Sequence, residues 1–324
     1  MAMTSEFTQP LVYETVHDEA HAFVENITHN PTVTELAKVF GYQPPEGLSS
    51  GQELAHLKEF SNQVWDFRNG KERQETSGTD FDEEQSAAIF AAAEEWHMVR
   101  SSEPQKDHYD FVTVLGGANK SPLMRVTYAK EQLEKYNLAV PHMVLLGSSR
   151  PLNDLEKKNT ADYAPGAQDE FDLMNGALET VYGINHTDEK IIDLHNFSPA
   201  ASDKDMWRVR YYEAPNGMRI LSVSAPQIEG ERRVNTADTY HFMHDVVGAE
   251  LLKDANVLNV TNAHFVPFQN ADALRLLGIQ AKAHVETIGF SADYAGLTRK
   301  PHELLQEMNS AINQAALLQD VLES

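Results

Sequence analysis

The sequence predicts an α/β protein: a Rossmann-like, mostly parallel sheet with helices on both faces, preceded by an α-helical N-terminal region. From Asp110 onwards, short apolar runs alternate with helical stretches, which is typical of βαβ units in a parallel sheet. Before that point, apolar residues recur at helical spacing. The predicted strands are DFVTVLGG, HMVLLGSS, MRILSVSA, NVLNVTNAH and AHVETIGF.

Residues 1–105 form the predicted helical region. In PTVTELAKVFGY, apolar residues fall on one helix face and either Thr32 or Thr34 is expected to cap it. The next stretch, SSGQELAHLKEFSNQVWDFRNG, predicts a helix that ends at Gly70. A third helix, in DFDEEQSAAIFAAAEEWHMVRSS, begins with acidic residues that suit a helix N-terminus. The polar GKERQETSGTD before it predicts a loop.

Residues 106–298 are predicted to form the Rossmann-like domain, and residues 299–324 a C-terminal helix packed on it. In MWRVRYYEAPNGMRILSVSA, two β-rich runs flank a Pro-Asn-Gly turn. This pattern predicts a hairpin, so one antiparallel strand is expected in the sheet. The final RKPHELLQEMNSAINQAALLQDVLES has the apolar spacing of an amphipathic helix.

The charge of the chain argues against two classes of partner. Asp and Glu number 49 and Lys and Arg 26, which gives a net charge of -23. Such a field repels nucleic-acid phosphates and anionic lipid, so we expect no nucleic acid and no membrane as partner. A small-molecule ligand, even an anion, fits if local donors outweigh the field. The sequence identifies no protein partner.

The chain has no cysteine, which rules out disulfides, thiolate metal sites and a Cys nucleophile. No basic stretch followed by an apolar one opens the sequence, so no signal peptide is expected. No apolar run approaches the ~20 residues of a membrane helix. These features predict a cytoplasmic protein.

Polar clusters follow the predicted strands, and ligands of open α/β sheets bind outside the carboxyl ends of the strands. The first cluster lies in VTVLGGANKSPLMRV. Because Asn119 stands where a Walker loop has glycine before Lys120, this is not such a loop. Gly116 and Gly117 instead allow close approach of backbone amides to a ligand. Ser121 is expected to cap the following helix.

The remaining strand ends supply the other candidates for one crevice. Hydroxyl, amide and guanidinium groups are expected to bind the ligand, together with the glycine loop, whereas Glu170 and His264 are the acid/base candidates. The full ligand-binding set is Gly116, Gly117, Asn119, Lys120, Arg125, Ser148, Ser149, Arg150, Asn235, Thr236 and Asn262. No second ligand stands at metal-binding spacing from His264, so no metal site is predicted.

These residues together resemble the YdcF/SanA/ElyC-like family, whose domain is Rossmann-like. The resemblance rests on VLGG at Val114 to Gly117, Arg125 in the next helix, Glu170 at a helix start, NT from Asn235, and VTNAH from Val260. It covers about residues 108–290. The N-terminal helices lie outside it.

Two positions depart from the family pattern. The second strand ends in LLGSSRP where the family commonly has Ser-Gly-Gly, and an Arg-Ala expected soon after the His is missing, with Arg275 as its only nearby substitute. SanA and ElyC types carry a membrane anchor that this sequence lacks, so the soluble YdcF branch is the nearer one. For that branch, the resemblance implies binding of S-adenosylmethionine.

Two functions remain open on the sequence. In the first, the crevice binds a small anionic or adenosine-containing ligand, S-adenosylmethionine or a nucleotide; if the protein is an enzyme, group transfer or phosphoester chemistry is the expected reaction class. In the second, the protein is non-catalytic and regulatory, and its acidic N-terminal helices contact a partner. No nucleophile, base and orienting group can be read together from the sequence, so no particular reaction is predicted.

Overall fold

The computed structural model describes residues 15–44, 46–67, 80–184, 192–195, 206–226 and 234–324. Within them, seven strands form one sheet. The strands are β1 (Phe111–Leu115), β2 (His142–Ser148), β3 (Ile192–His195), β4 (Arg208–Glu213), β5 (Arg219–Ala225), β6 (Asn256–Asn262) and β7 (His284–Phe290). The helices are α1 (Val16–His29), α2 (Pro31–Val39), α3 (Ser50–Val64), α4 (Glu83–Glu95), α5 (Ser121–Lys135), α6 (Asp154–Thr160), α7 (Glu170–Tyr182), α8 (Thr236–Val247), α9 (Ala249–Leu252), α10 (Val266–Ala273) and α11 (Pro301–Leu322).

The strands lie in the order β3-β4-β5-β2-β1-β6-β7. The five neighbouring strands β5, β2, β1, β6 and β7 run parallel to one another, and β4 is antiparallel to both of its neighbours. The predicted α/β class and the hairpin of β4 and β5 are therefore confirmed. The short β3 was not expected, because its four residues give no strand signal of their own.

Alternate residues of the central strands enter two different hydrophobic cores. Val112 and Val114 pack on the side of α5 and α7, whereas Phe111 and Leu115 pack on the side of α8, α10 and α11. This is the two-residue period of a strand that is covered on both faces. Helices therefore cover both faces of the sheet, as predicted.

The path of the chain reverses between β1 and β6. From β1 the chain crosses one face through α5 to β2, and from β6 it crosses the other face through α10 to β7. At such a switch point the two connections diverge and leave a crevice at the carboxyl ends of the strands.

The N-terminal helices share a core with the C-terminal helix. Leu36 and Leu54 belong to the same buried cluster as Leu305 and Ile312 of α11. Polar contacts join the same elements: the side-chain amides of Asn62 and Asn313 bond each other at 3.1 and 2.8 Å. The predicted helical N-terminal region is therefore confirmed, and α11 packs on it as well as on α10.

Three predicted helix boundaries were wrong. Asn30, rather than Thr32 or Thr34, caps α2, because Pro31 has no N–H and the Asn30 side chain accepts bonds from the next two amides. Helix α3 ends at Val64, well before Gly70, and Gly70 with most of the predicted loop lies outside the described residues. At α5, Lys120 occupies the N-cap position, and no side chain accepts a capping hydrogen bond there. Ser121 is the first residue of the helix and therefore not its cap.

Across the part of the chain that the structure describes, no helix has the length and apolar character needed to cross a membrane.

Candidate functional site

A crevice of about 990 Å³ opens at the switch point between β1 and β6. Its floor is formed by the carboxyl ends of β1, β2 and β6, and its walls by the starts of α5, α7 and α8 with part of α10. Of the thirteen predicted site residues, Ser149 alone is outside its lining, and the other twelve line it. Residues separated by more than 140 positions thus share one surface.

Of the two glycines after β1, Gly116 has the closer neighbours. A β-carbon at Gly116 would lie 2.6 Å from the carbonyl oxygen of Leu146 and would collide with the carboxylate of Glu170. At Gly117 the nearest atom would be the Ser121 β-carbon at 3.1 Å. The glycines therefore let a carboxylate from α7 lie directly against the end of β1.

Arg125 joins the carboxyl ends of β1 and β6. Its side chain is buried, and its Nε donates to Asn262 Oδ1 at 2.7 Å. Its Nη1 donates to the backbone oxygens of Leu115, at 3.0 Å, and Gly116. The guanidinium also lies 5.7 Å from the centre of the Phe265 ring. Arg125 thus fixes the floor of the crevice and orients Asn262.

The side of the crevice at the end of β2 carries paired charges. Ser148 Oγ donates to Glu170 Oε2 at 2.7 Å, and Arg150 Nε lies 3.8 Å from the same oxygen. Arg150 Nη1 also contacts the buried Glu156 at 3.0 Å. These contacts hold the Glu170 carboxylate in one position over the glycine loop.

Farther out on the same side, Lys120 and Asp162 form an ion pair at 3.0 Å. Both side chains are more than half exposed, and the bond from Lys120 lowers the pKa of Asp162. Asn119 adopts a left-handed backbone (φ 52°), its carbonyl accepts from Tyr163 Oη at 2.5 Å, and its side chain accepts from Asn159 at 3.1 Å. The predicted Lys120 and Asn119 therefore form the rim of the crevice.

The start of α8 and the end of β6 form the opposite wall. Asn235 caps α8 in a reciprocal pair of bonds with Asp238, at 3.1 and 2.9 Å, and Thr236 follows at the first helical position. His264 lies in a single 3-10 turn after β6 and is 5% exposed, with its ring 3.9 Å from that of Phe265. The two acid/base candidates, Glu170 and His264, thus line the same crevice from different walls.

Several lining residues were missed by sequence reasoning, and Arg299 is the most informative. It lies just before α11, and its buried Nε has no hydrogen-bond partner among the described residues. Burial lowers the pKa of its guanidinium, although Glu303 and Glu307 oppose this. Phe265, Phe268 and Leu297 were missed as well, and they give the crevice an apolar surface near α10.

Arg275 does not join the crevice. It bonds Asp272 at 2.9 Å and is absent from the crevice lining, so it does not replace the arginine of the YdcF-like pattern at this site. Among the described residues, no group of three or more His, Cys, Asp or Glu side chains is placed to hold a metal ion.

The fold and the crevice together define a Rossmann-like α/β protein with a polar crevice at its topological switch point. Over 318 residues the chain is 31% identical to the uncharacterized protein Rv3785 of Mycobacterium tuberculosis (strain ATCC 25618 / H37Rv), with 90% of this chain and 87% of that protein covered. The uncharacterized protein Mb3814 of Mycobacterium bovis matches with the same identity and coverage. The chain belongs to the Rv3785 family.

Residues 13–96 also match the family described as the Rv3785 N-terminal domain. This match covers the N-terminal helices and ends before β1. No solved structure matches the chain.

Proposed function

We propose that the protein binds a small anionic or adenosine-containing ligand, a nucleotide or S-adenosylmethionine, in the crevice between β1 and β6. The observation that carries the proposal is the convergence of hydrogen-bonding and charged side chains from the ends of β1, β2 and β6 and from the start of α8 on this one switch point. Crevices at this position are where open α/β sheets bind their ligands. The proposal extends the YdcF-like resemblance, which implies the same class of ligand.

The two sides of the crevice suit different parts of such a ligand. At the end of β2, Glu170 is held by Ser148 and Arg150, and a fixed carboxylate is a good acceptor for ribose hydroxyls. Near α10, Phe265 and Phe268 offer apolar surface for a ring.

Arg299 supports the anionic half of the proposal. Lys120 and Arg150 are already engaged with carboxylates, whereas Arg299 has a buried Nε that lacks an acceptor among the described residues. A phosphate or carboxylate beside it would satisfy that donor. If the protein is an enzyme, Glu170 and His264 are the groups we propose for proton transfer in group-transfer or phosphoester chemistry.

Calorimetric titration with AMP, adenosine, inorganic phosphate and S-adenosylmethionine tests the proposal. We expect AMP or S-adenosylmethionine to bind. Arg299→Ala should weaken the binding of AMP about tenfold and leave the binding of adenosine unchanged. The matched control is Arg100→Ala, an exposed arginine that pairs with Glu94 outside the crevice. If none of the four compounds binds the wild-type protein, the ligand-binding proposal is wrong.

A further inference from the structure

A second cleft of about 910 Å³ lies along the β7 edge of the sheet, and we call it the edge cleft. Helix α1 contributes Glu19, Phe23 and Ile27, and the strand contributes Val285, Glu286 and Thr287. It is separate from the crevice, because α10 stands between them. Phe268 and Gln269 of that helix line the crevice, whereas Val266, Pro267 and Asn270 line the edge cleft.

Two carboxyl groups from distant parts of the chain face this cleft. Glu286 accepts from the backbone N–H of Gln105 at 2.8 Å and from the hydroxyl of Tyr109. Glu19 is half-buried and has no side-chain hydrogen bond or ion pair with any described residue. The described residues therefore supply hydrogen-bond donors to the Glu286 carboxyl group and none to that of Glu19.

The cleft carries an excess of negative charge. Besides these two carboxyl groups, the described residues with charged or titratable side chains that line the cleft are Glu95, His97, Lys106, Asp107, His108 and His284. Lys106 is the single ammonium among them, and its Nζ is already bonded to Asn256 Oδ1 at 2.9 Å. Burial raises the pKa of Glu19 to about 7, the nearby Glu286 adds to this, and Lys106 opposes it. Burial also raises the pKa of Glu286.

An independent feature of the cleft also lacks a partner. Trp96 lines it and is 4% exposed, and its buried indole N–H finds no acceptor among the described residues. Buried indole N–H groups usually have one, because leaving a donor unbonded costs about 1–3 kcal/mol. A bound molecule with an oxygen acceptor would supply it, and the neighbouring Phe23 and Ile27 offer apolar surface to the same molecule.

We propose that the edge cleft binds a small organic ammonium ligand that carries an apolar body and a hydrogen-bond acceptor. The ammonium lies against Glu19 and Glu286, the apolar body against α1 and Val285, and the acceptor takes the Trp96 N–H. This assignment does not depend on the crevice or on its ligand, since no residue in the described part of the chain lines both clefts.

Tyramine is a suitable probe, because it has a protonated amine, an aromatic ring and a hydroxyl oxygen, and N-acetyltyramine is its uncharged counterpart. Titration calorimetry should show binding of tyramine and at least tenfold weaker binding of N-acetyltyramine. Glu19→Gln should weaken tyramine about tenfold, and Trp96→Phe should weaken it less. Tyramine should also bind more tightly at about pH 8 than at about pH 6, because Glu19 loses its proton between them.

The matched control is Glu25→Gln, which removes an exposed carboxylate of α1 that bonds His29 and does not line the edge cleft. This variant should bind tyramine as the wild type does. The proposal is overturned if tyramine does not bind at about 10 mM, if the acetylated probe binds equally well, or if Glu19→Gln has no effect. Arg299→Ala should leave tyramine binding unchanged, so this result is independent of the proposed function.

Discussion

Arg125 and Glu170 of the crevice and Glu19 of the edge cleft differ in how their charged groups are held. In the crevice, Arg125 donates to groups at the carboxyl ends of β1 and β6, and Glu170 is held between Ser148 and Arg150. In the edge cleft, the Glu19 carboxyl has no bonding partner among the described residues, and its pKa is raised. Bonded charges make a site rigid, whereas a carboxyl group without a partner leaves interaction energy for a ligand. We therefore expect removal of the buried Arg125 charge to destabilise the protein and removal of the Glu19 charge to stabilise it.

The largest expected effect is that of Arg125→Met. The substitution leaves Asn262 Oδ1 and the backbone oxygens of Leu115 and Gly116 without their buried donor. Because each buried acceptor left without a donor costs about 1–3 kcal/mol, we expect the free energy of unfolding to fall by about 3–5 kcal/mol in guanidinium denaturation. Arg100→Met, at an exposed ion pair, should lower it by less than about 1 kcal/mol. Equal losses in the two variants would contradict the role of Arg125 in the crevice floor.

A smaller loss is expected from Gly116→Ala. The new methyl group would lie 2.6 Å from a backbone oxygen of β2 and displace the Glu170 carboxylate. Overpacking of this kind should lower the free energy of unfolding by about 3 kcal/mol. Gly117→Ala is the milder comparison, since its methyl group would lie 3.1 Å from the Ser121 β-carbon and at ordinary contact distances of 3.5 and 3.7 Å from the Arg125 guanidinium, with no backbone atom among these neighbours. If both variants unfold at the same denaturant concentration, Gly116 is not the critical contact.

Glu19→Gln should act in the opposite direction and depend on pH. The raised pKa means that the folded protein holds a proton on Glu19 more strongly than the unfolded chain, whose ordinary value is 4.5. Stability from this group therefore falls as pH rises from 4.5 towards about 7. In chemical denaturation, the free energy of unfolding of the variant minus that of the wild type should increase by about 2 kcal/mol between about pH 5 and pH 8. A gain that is constant with pH would contradict the shifted pKa of Glu19.

The smallest effect is expected at the Lys-Ser of the glycine loop. Lys120 and its partner Asp162 are both more than half exposed, and such pairs add little to stability. Lys120→Ala should leave the midpoint of thermal unfolding unchanged and weaken AMP binding less than Arg299→Ala does. If instead Lys120→Ala abolishes AMP binding, the ligand lies at the rim of the crevice rather than beside Arg299.

Much of the fold was predictable, because strands covered on both faces are apolar along their whole length. The runs from Phe111 and from Asn256 needed no tertiary information, and neither did the Pro-Asn-Gly hairpin. The short β3 was not predictable, because its pairing with β4 is what makes it a strand. The cap of α2 was readable in principle, since a proline at the first helical position points to the residue before it, Asn30.

The crevice and the edge cleft also differ in how far they could be predicted from the sequence. Candidates such as Gly116 and His264 follow strands directly, and the carboxyl ends of parallel strands lie at one edge of the sheet. Arg299 follows a long loop after β7, so no local pattern places it in the crevice. Glu19, Trp96 and Glu286 meet only because the N-terminal helices pack against the far edge of the sheet.

The packing of α11 has a consequence for how the protein is made. Helices α1 to α4 leave the ribosome before α11, but their core includes Leu305 and Ile312 of α11. The backbone N–H of Phe67 also donates to the Gln306 side chain of α11 at 2.7 Å. During synthesis, helices α1 to α4 expose apolar surface until α11 emerges. Exposed apolar surface of this kind makes a nascent chain prone to aggregate. Removal of α11 would therefore destabilise helices α1 to α4, which share its core.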